Sequence, residues 1–273
     1  MSDWQFNPEY RGGEAERLFG SLDEVFSLEG EPIAKDPFSR VLRVTADGKR
    51  YYVKQYAGNG KNALRRWFGL RGLLGPQRVR KEWENLLAFR RWGIPTATLV
   101  GYGLERRFGS FVRGALVTEE IPETMDMGSM ANVADPRLSD HRWVAEVSTQ
   151  VARYARLLHD AGFAHNDLKW RNLLVNRAEP PLVFLIDCPS GGFWFGPMLR
   201  YRIVKDLACL DKIGKYRLTR TQRLRFYLDY AGHQHLTTAD KQRIRLILKF
   251  FEGREWTWPV ASRKLPETHC RQR

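Results

Sequence analysis

The chain has 273 residues, enough to bury a large core as one domain or as two lobes. Its balance of 43% apolar and 28% charged residues suits a soluble globular protein, and no run of 18 apolar residues offers a spanning helix. The three cysteines, Cys188, Cys209 and Cys270, are widely spaced, which argues for a reducing compartment and against a disulfide framework or a zinc site. The opening Met1-Ser2-Asp3-Trp4-Gln5-Phe6-Asn7-Pro8 lacks a basic stretch followed by an apolar core, so no secretory signal is expected. A formal net charge of +14 concentrates polyanions near the surface: nucleic acid, anionic lipid head groups or phosphorylated glycans. A solvated basic surface with no specific partner is the plain alternative.

In chain order, Val41-Leu42-Arg43-Val44 and residues 51–56 read as strands, joined by the hairpin signal Asp47-Gly48-Lys49. A Gly- and Arg-rich stretch follows. A helix is then expected over residues 77–92, where Val79, Trp83, Leu86, Leu87 and Arg90 recur at three- and four-residue steps, ended by Gly93-Ile94-Pro95. Residues 99–103 and 111–118 read as further strands. Residues 123–140 are polar and read as a linker and loop. A long helix is expected over residues 142–161, with Val144, Val147, Val151, Tyr154, Leu157 and Leu158 on its apolar face and Gly162 at its end. A short strand pair, Leu173-Leu174-Val175 and residues 182–186, precedes helical patterns near 203–214, 219–232 and 238–252. This order predicts an α+β, two-lobed architecture: a strand-rich N-lobe over residues 1–121 and a mainly helical C-lobe over residues 122–273, with a ligand cleft between them.

The stretch His165-Asn166-Asp167-Leu168-Lys169-Trp170-Arg171-Asn172, followed by an apolar strand ending in Asp187, has the spacing that phosphoryl transfer from a magnesium nucleotide requires. Asp167 can orient a substrate hydroxyl and take its proton. Lys169 can neutralise charge on the moving phosphoryl group. Asn172 and Asp187 supply the oxygen ligands that Mg²⁺ prefers. An isolated aspartate would read as a cap residue, and Asn172 can also tie down its own loop. His165 fits a structural role. Lys54, in Tyr52-Val53-Lys54, stands where a phosphate-binding strand lysine is needed, although a lone strand lysine is usually solvated. It requires an ion-pair partner on the next helix. Glu82 and Glu84 both qualify by position, they point to different faces, and Glu82 is preferred. Asp206 reads either as an anchor beneath the catalytic loop or as an ordinary first-turn carboxylate. Glu119-Glu120-Ile121 is expected to form the hinge, with the backbone of Glu119 and Ile121 meeting adenine.

On these residues the chain resembles the protein-kinase-like superfamily and, within it, the bacterial lipopolysaccharide kinase (Kdo/WaaP) family. The likeness rests on Lys81-Glu82-Trp83-Glu84-Asn85-Leu86 through Gly93-Ile94-Pro95-Thr96 to Val100-Gly101-Tyr102-Gly103, on residues 165–174, on Phe184-Leu185-Ile186-Asp187-Cys188, and on Lys205-Asp206-Leu207-Ala208. It spans roughly residues 40–215. The chain departs from protein kinases in three ways. No Gly-x-Gly-x-x-Gly precedes Lys54, so Ser39, Arg40 or backbone amides must cover the phosphates. Cys188-Pro189 follows the metal aspartate in place of Phe-Gly. Residues 190–202 form a short Gly- and aromatic-rich segment with no Ala-Pro-Glu, which offers no peptide-docking platform.

The resemblance implies ATP and Mg²⁺ as cofactors and transfer of the γ-phosphate to a heptose or Kdo hydroxyl of the lipopolysaccharide inner core. The expected partner is the core oligosaccharide or the lipid A-core glycolipid, and the expected location is cytoplasmic, peripheral on the inner membrane. Residues 61–81 carry Lys61, Arg65, Arg66, Arg71, Arg78, Arg80 and Lys81 with no acidic residue, interleaved with Trp67, Phe68, Leu70, Leu73 and Leu74. Such a segment can rest on an anionic membrane, or its cations can simply face water. A kinase for protein or another small alcohol is the alternative, although the basic balance disfavours cationic antibiotic substrates. A non-catalytic nucleotide-binding scaffold conflicts with the intact Lys54, Asp167, Asn172 and Asp187. No specific nucleic acid is expected, since no helix-turn-helix, zinc or RNA-recognition signature is present.

Overall fold

The computed structural model describes residues 2–35, 39–57, 78–108 and 110–253. Most of the basic segment 61–81, the tail with Trp256 and Trp258, and Cys270 lie outside them. The first sheet has six antiparallel strands in the order β1-β5-β6-β4-β3-β2. Its strands are β1 (Ser2–Phe6), β2 (Glu31–Lys35), β3 (Ser39–Ala46), β4 (Lys49–Ala57), β5 (Leu99–Arg107) and β6 (Ser110–Glu119). The β3–β4 hairpin turns through Asp47 at φ 49° and Gly48 at φ 71°, the left-handed pair that a two-residue hairpin loop demands.

Alternation along β4 sorts its side chains. Tyr51 and Val53 face two six-residue helices, α1 (Glu14–Phe19) and α2 (Leu22–Ser27), whose Phe19, Leu22 and Val25 cover that side of the sheet. Tyr56 belongs instead to the core around α3 (Arg78–Arg91). Periodicity does not reveal α1 and α2, because six residues make fewer than two turns. Asp47, at the hairpin tip, ties α1 to the sheet by accepting hydrogen bonds from Glu14 N at 3.1 Å and Ala15 N at 3.0 Å. At β1 a glycine is obligatory opposite: a Cβ on Gly103 would fall 1.9 Å from the Asp3 carbonyl.

The second half contains α4 (Met127–Asn132), α5 (His141–Asp160), α6 (Gly196–Arg217), α7 (Arg220–Ala231) and α8 (Thr238–Lys249). It also holds a three-stranded sheet of β7 (Met125–Asp126), β9 (Leu173–Val175) and β10 (Val183–Leu185), and a ribbon of β8 (Phe163–Ala164) with β11 (Gly192–Phe193). Two expectations need correction. Residues 123–140 are not a loop but hold β7, α4 and a 3-10 turn at Pro136–Ser139, with Met127, Met130 and Ala131 buried. The buried apolar side chains of α4 are methionines and alanine among polar neighbours, so composition hid the element. Asp206 is not in a helix first turn; it lies deep within α6 and is fully buried. A continuous core runs from Val79, Leu86, Phe89 and Ile94 beneath the first sheet to Val147, Leu158, Phe163, Leu168 and Leu185 of the helical half. Among the described residues no helix is long and apolar enough to cross a membrane.

Candidate active site

The segment from His165 to Asn172 joins β8 to β9. Its shape is fixed from below. Leu168 and Trp170 are buried, and the Trp170 indole donates to Leu210 O at 2.9 Å. His165 is fully buried and stacks on Phe89 with ring centroids 5.9 Å apart. Burial pushes its pKa down, so the ring stays neutral, as a structural histidine should. The His165 amide donates to Asp206 Oδ2 at 2.7 Å, which makes Asp206 the anchor under the loop.

Asp167 sits above this base. Its carboxylate pairs with Lys169 and, at 3.3 Å, with Arg171. Burial alone would raise its pKa, but the hydrogen bond and charge of Lys169 overrule it and hold the carboxylate below its ordinary value. Asn172 Nδ2 donates to Asp167 O at 2.9 Å, and the Ile186 amide donates to Asn172 O at 3.0 Å. The loop is therefore stitched to the strand end that carries Asp187.

Asp187 has φ 58°, a left-handed conformation that turns it off the end of β10 toward the first sheet. There its Oδ1 meets Lys54 Nζ at 2.7 Å, and Lys54 also meets Glu82 Oε1 at 2.9 Å. Glu84, the rejected candidate, pairs with Arg80 instead. Tyr56, two residues along β4 from Lys54, donates its hydroxyl to Glu82 Oε2. One lysine faces two carboxylates here. Burial disfavours the ammonium, yet Glu82 and Asp187 hold Lys54 above the usual lysine range. Burial pushes the more deeply placed Glu82 up to about 7 against the pull of Lys54, while Lys54 keeps the more open Asp187 below its ordinary value in spite of burial.

Sequence reasoning overlooked several supports. Asn166, at φ 65°, donates to Ser190 O at 2.8 Å and accepts from Arg202 at 3.2 Å, while its carbonyl accepts from Lys205 at 2.8 Å. It locks the His165–Asn172 loop to α6 and to the segment after Asp187. Asn85, three residues beyond Glu82 on α3, donates to Cys188 O at 2.7 Å. That i, i+3 step from Glu82 was the available signal. At the expected hinge, β6 ends on Glu119. The Glu119 side chain binds Tyr10 and Lys49 and does not join the Lys54 cluster, its amide donates to Thr98 O at 3.0 Å, and Ile121 O accepts from Thr124 at 2.7 Å. Arg40 hydrogen-bonds Gln55, and residues 36–38 lie outside the described set.

Asn172 and Asp187 offer one amide and one carboxylate oxygen donor at adjoining strand ends. Among the described residues no cluster of three or more His, Cys, Asp or Glu side chains forms a cage of its own. That donor set fits Mg²⁺, which is commonly held by one or two protein oxygens together with substrate phosphates and water.

The sequence profile of the lipopolysaccharide kinase (Kdo/WaaP) family matches residues 24–230. Lipopolysaccharide core heptose(I) kinase WaaP of Pseudomonas aeruginosa is 28% identical over 223 residues, covering 77% of this chain and 80% of that protein. The protein of the same name from Escherichia coli is 28% identical over 203 residues, covering 71% and 73%. The structure described as WaaP in complex with acyl carrier protein superposes with a TM-score of 0.68 at 24% identity, over 92% of this chain and 97% of that one. The fold is protein-kinase-like, and the chain belongs to the lipopolysaccharide kinase (Kdo/WaaP) family.

Proposed function

We propose that this kinase transfers the γ-phosphate of ATP to a heptose or Kdo hydroxyl of the lipopolysaccharide inner core. The observation that carries the reading is the unbroken chain of contacts from Glu82 through Lys54 to Asp187, and from Asp187's neighbour Ile186 through Asn172 to Asp167. Residues 1–121 would cover the nucleotide and residues 122–273 would supply the base and the acceptor side, with adenine against the backbone of Glu119 and Ile121. Lys54 holds phosphate oxygens and is itself held by Glu82. Asn172 and Asp187 would hold Mg²⁺, which screens phosphate charge when bound. Asp167 orients the acceptor hydroxyl. A bond forms between the sugar oxygen and the γ-phosphorus, the bond to the β-phosphate oxygen breaks, ADP leaves, and the hydroxyl proton passes to Asp167. Lys169 offsets charge on the transferred group.

The acceptor would be the core oligosaccharide or its lipid A-linked form, met on the cytoplasmic face of the inner membrane. The net charge of +14 supports an acidic glycan. An apolar cavity of about 270 Å³ between α4, α5, α6, α7 and α8, lined by Met127, Val151, Leu210, Tyr227 and Ile247, also favours an acyl carrier protein as a partner of this chain, since an acyl group needs such a lining.

The test is incubation with labelled ATP, Mg²⁺ and dephosphorylated core oligosaccharide beside a generic protein substrate. Label is expected in the oligosaccharide. Asp167→Asn should lower transfer by about 10²–10⁴-fold with nucleotide affinity unchanged. Transfer to protein alone would overturn the reading.

A further inference from the structure

Between Cys188 and Lys205 the chain carries Arg200, Arg202 and Lys205 and no acidic residue, together with Phe193, Trp194, Phe195, Met198 and Tyr201. These residues form the turn from β11 into α6 and the first turns of that helix. Phe195 is 88% exposed, Phe193 68%, Met198 49% and Tyr201 47%, the densest run of exposed large apolar side chains among the described residues. The turn is nevertheless firmly built. Trp194 N donates to Gly162 O at 2.8 Å, and the Arg202 guanidinium lies 4.6 Å over the Trp194 ring. Phe193 keeps one side against Phe163 at 5.4 Å and Trp92 at 6.1 Å, and Tyr201 leans on Phe250 at 5.6 Å. A monomer surface rarely holds such a patch rigidly in water without a partner for it.

Its position narrows the partner. Asn166, adjacent to the base Asp167, bonds Ser190 O before the turn and Arg202 after it. The patch is thus fixed to the acceptor side of the catalytic loop. Exposed aromatics and methionine set among cations, with no acid within the segment itself, match the chemistry of an anionic bilayer interface: rings and methionine enter the acyl boundary while guanidinium groups meet phosphate. We infer that the Phe193–Tyr201 turn is the edge on which the kinase rests against an anionic membrane, with Phe195 and Met198 in the interface and Arg200 among head groups. This presents Asp167 to sugars carried at the same surface. The inference rests on the lipid-linked acceptor proposed above and assigns the contact to a segment distinct from residues 61–81.

The experiment uses the full chain, wild type and the F195S/M198S double variant. Sedimentation is measured with vesicles of phosphatidylglycerol and phosphatidylethanolamine and with phosphatidylcholine vesicles. Transfer is measured to delipidated core oligosaccharide in solution and to the same core on lipid A in vesicles. Wild type should bind the anionic vesicles preferentially. The double variant should lose about tenfold or more in that binding, given the worth of one buried large apolar side chain, and lose as much in transfer on vesicles. Its transfer to the soluble oligosaccharide should match wild type, which also shows that it folds. R200E should weaken binding to the anionic vesicles alone. Equal vesicle binding by wild type and F195S/M198S would overturn the inference, as would a wild-type dimer that the substitutions dissociate. Failure of every form to phosphorylate soluble core oligosaccharide would refute the proposed function instead, and vesicle binding would still decide this inference.

Discussion

Lys54 is the residue on which both halves of the site converge, because its two carboxylate partners come from α3 and from the end of β10. Lys54→Met should therefore raise KM for ATP and lower kcat together, by about 10²-fold or more in kcat/KM, measured with saturating acceptor. Glu82 titrates from a raised position, about 7 against an ordinary 4.5. The folded state consequently binds more protons than the unfolded chain between those values. Stability from this group is fully present below about 4.5 and is lost as pH rises toward 7. Thermal melts should show wild type losing ground relative to Glu82→Gln across that window and running parallel to it above. Asp167 and Asp187 act oppositely: both are depressed, so their contribution is present above the ordinary carboxylate range and disappears as pH falls. Asn166 gives a third expectation. Asn166→Gly tolerates φ 65° but removes the side-chain bonds to Ser190 and Arg202. At about 1 kcal/mol for each bond, kcat should fall about ten- to thirtyfold, with little change in KM for ATP.

At the scale of elements, α3 carries more than its ion pair. Phe89 joins it edge-to-face to Phe163 and stacks it on His165, so one helix positions Glu82 and braces the His165–Asn172 loop at the same time. Phe89→Ala should cost about 3–5 kcal/mol by chemical denaturation, the range for a fully buried aromatic. The C-terminal helix α8 begins with a reciprocal cap: Thr237 accepts from the Asp240 amide at 3.1 Å, and Asp240 accepts from the Thr237 amide at 2.9 Å. Thr237→Ala should cost about 1 kcal/mol and leave phosphoryl transfer unchanged, since α8 lies far along the chain from the Lys54 cluster and contacts α6.

For the molecule as a whole, one core passes beneath the first sheet and into the helical half. Any movement of one half against the other must therefore slide packed surfaces, and large opening is opposed by apolar burial. The excess of cations works at a longer range. Association with an acidic core oligosaccharide should slow and weaken steeply between low salt and about 0.5 M, as screening shortens the reach of the field, while binding of neutral sugars should not respond.

The sequence by itself carried the kinase family and the chain order of most strands and helices. Asp167 and Asn172 fall in a loop between two short strands and Asp187 just past a third, and the strand and helix periods on either side were strong enough to locate β3–β6, α3 and α5. It could say that only one of Glu82 and Glu84 faces the cleft, because neighbours two apart on a helix diverge, and the preferred Glu82 is the one that meets Lys54. It was silent on α1 and α2 and misread α4 as loop, because six residues give no period to read. It left Asp206 undecided, since helix interior and helix start look alike until the preceding Gly196–Tyr201 turn is known to be helical. Tertiary structure alone decided that Tyr56 shares Glu82, that Asn166 bolts the loop to α6, and that Phe195 and Met198 face water. Those facts depend on which distant surfaces meet. Local propensity carries no record of a partner a hundred residues away, whereas close packing allows each side chain only the neighbours the fold brings to it.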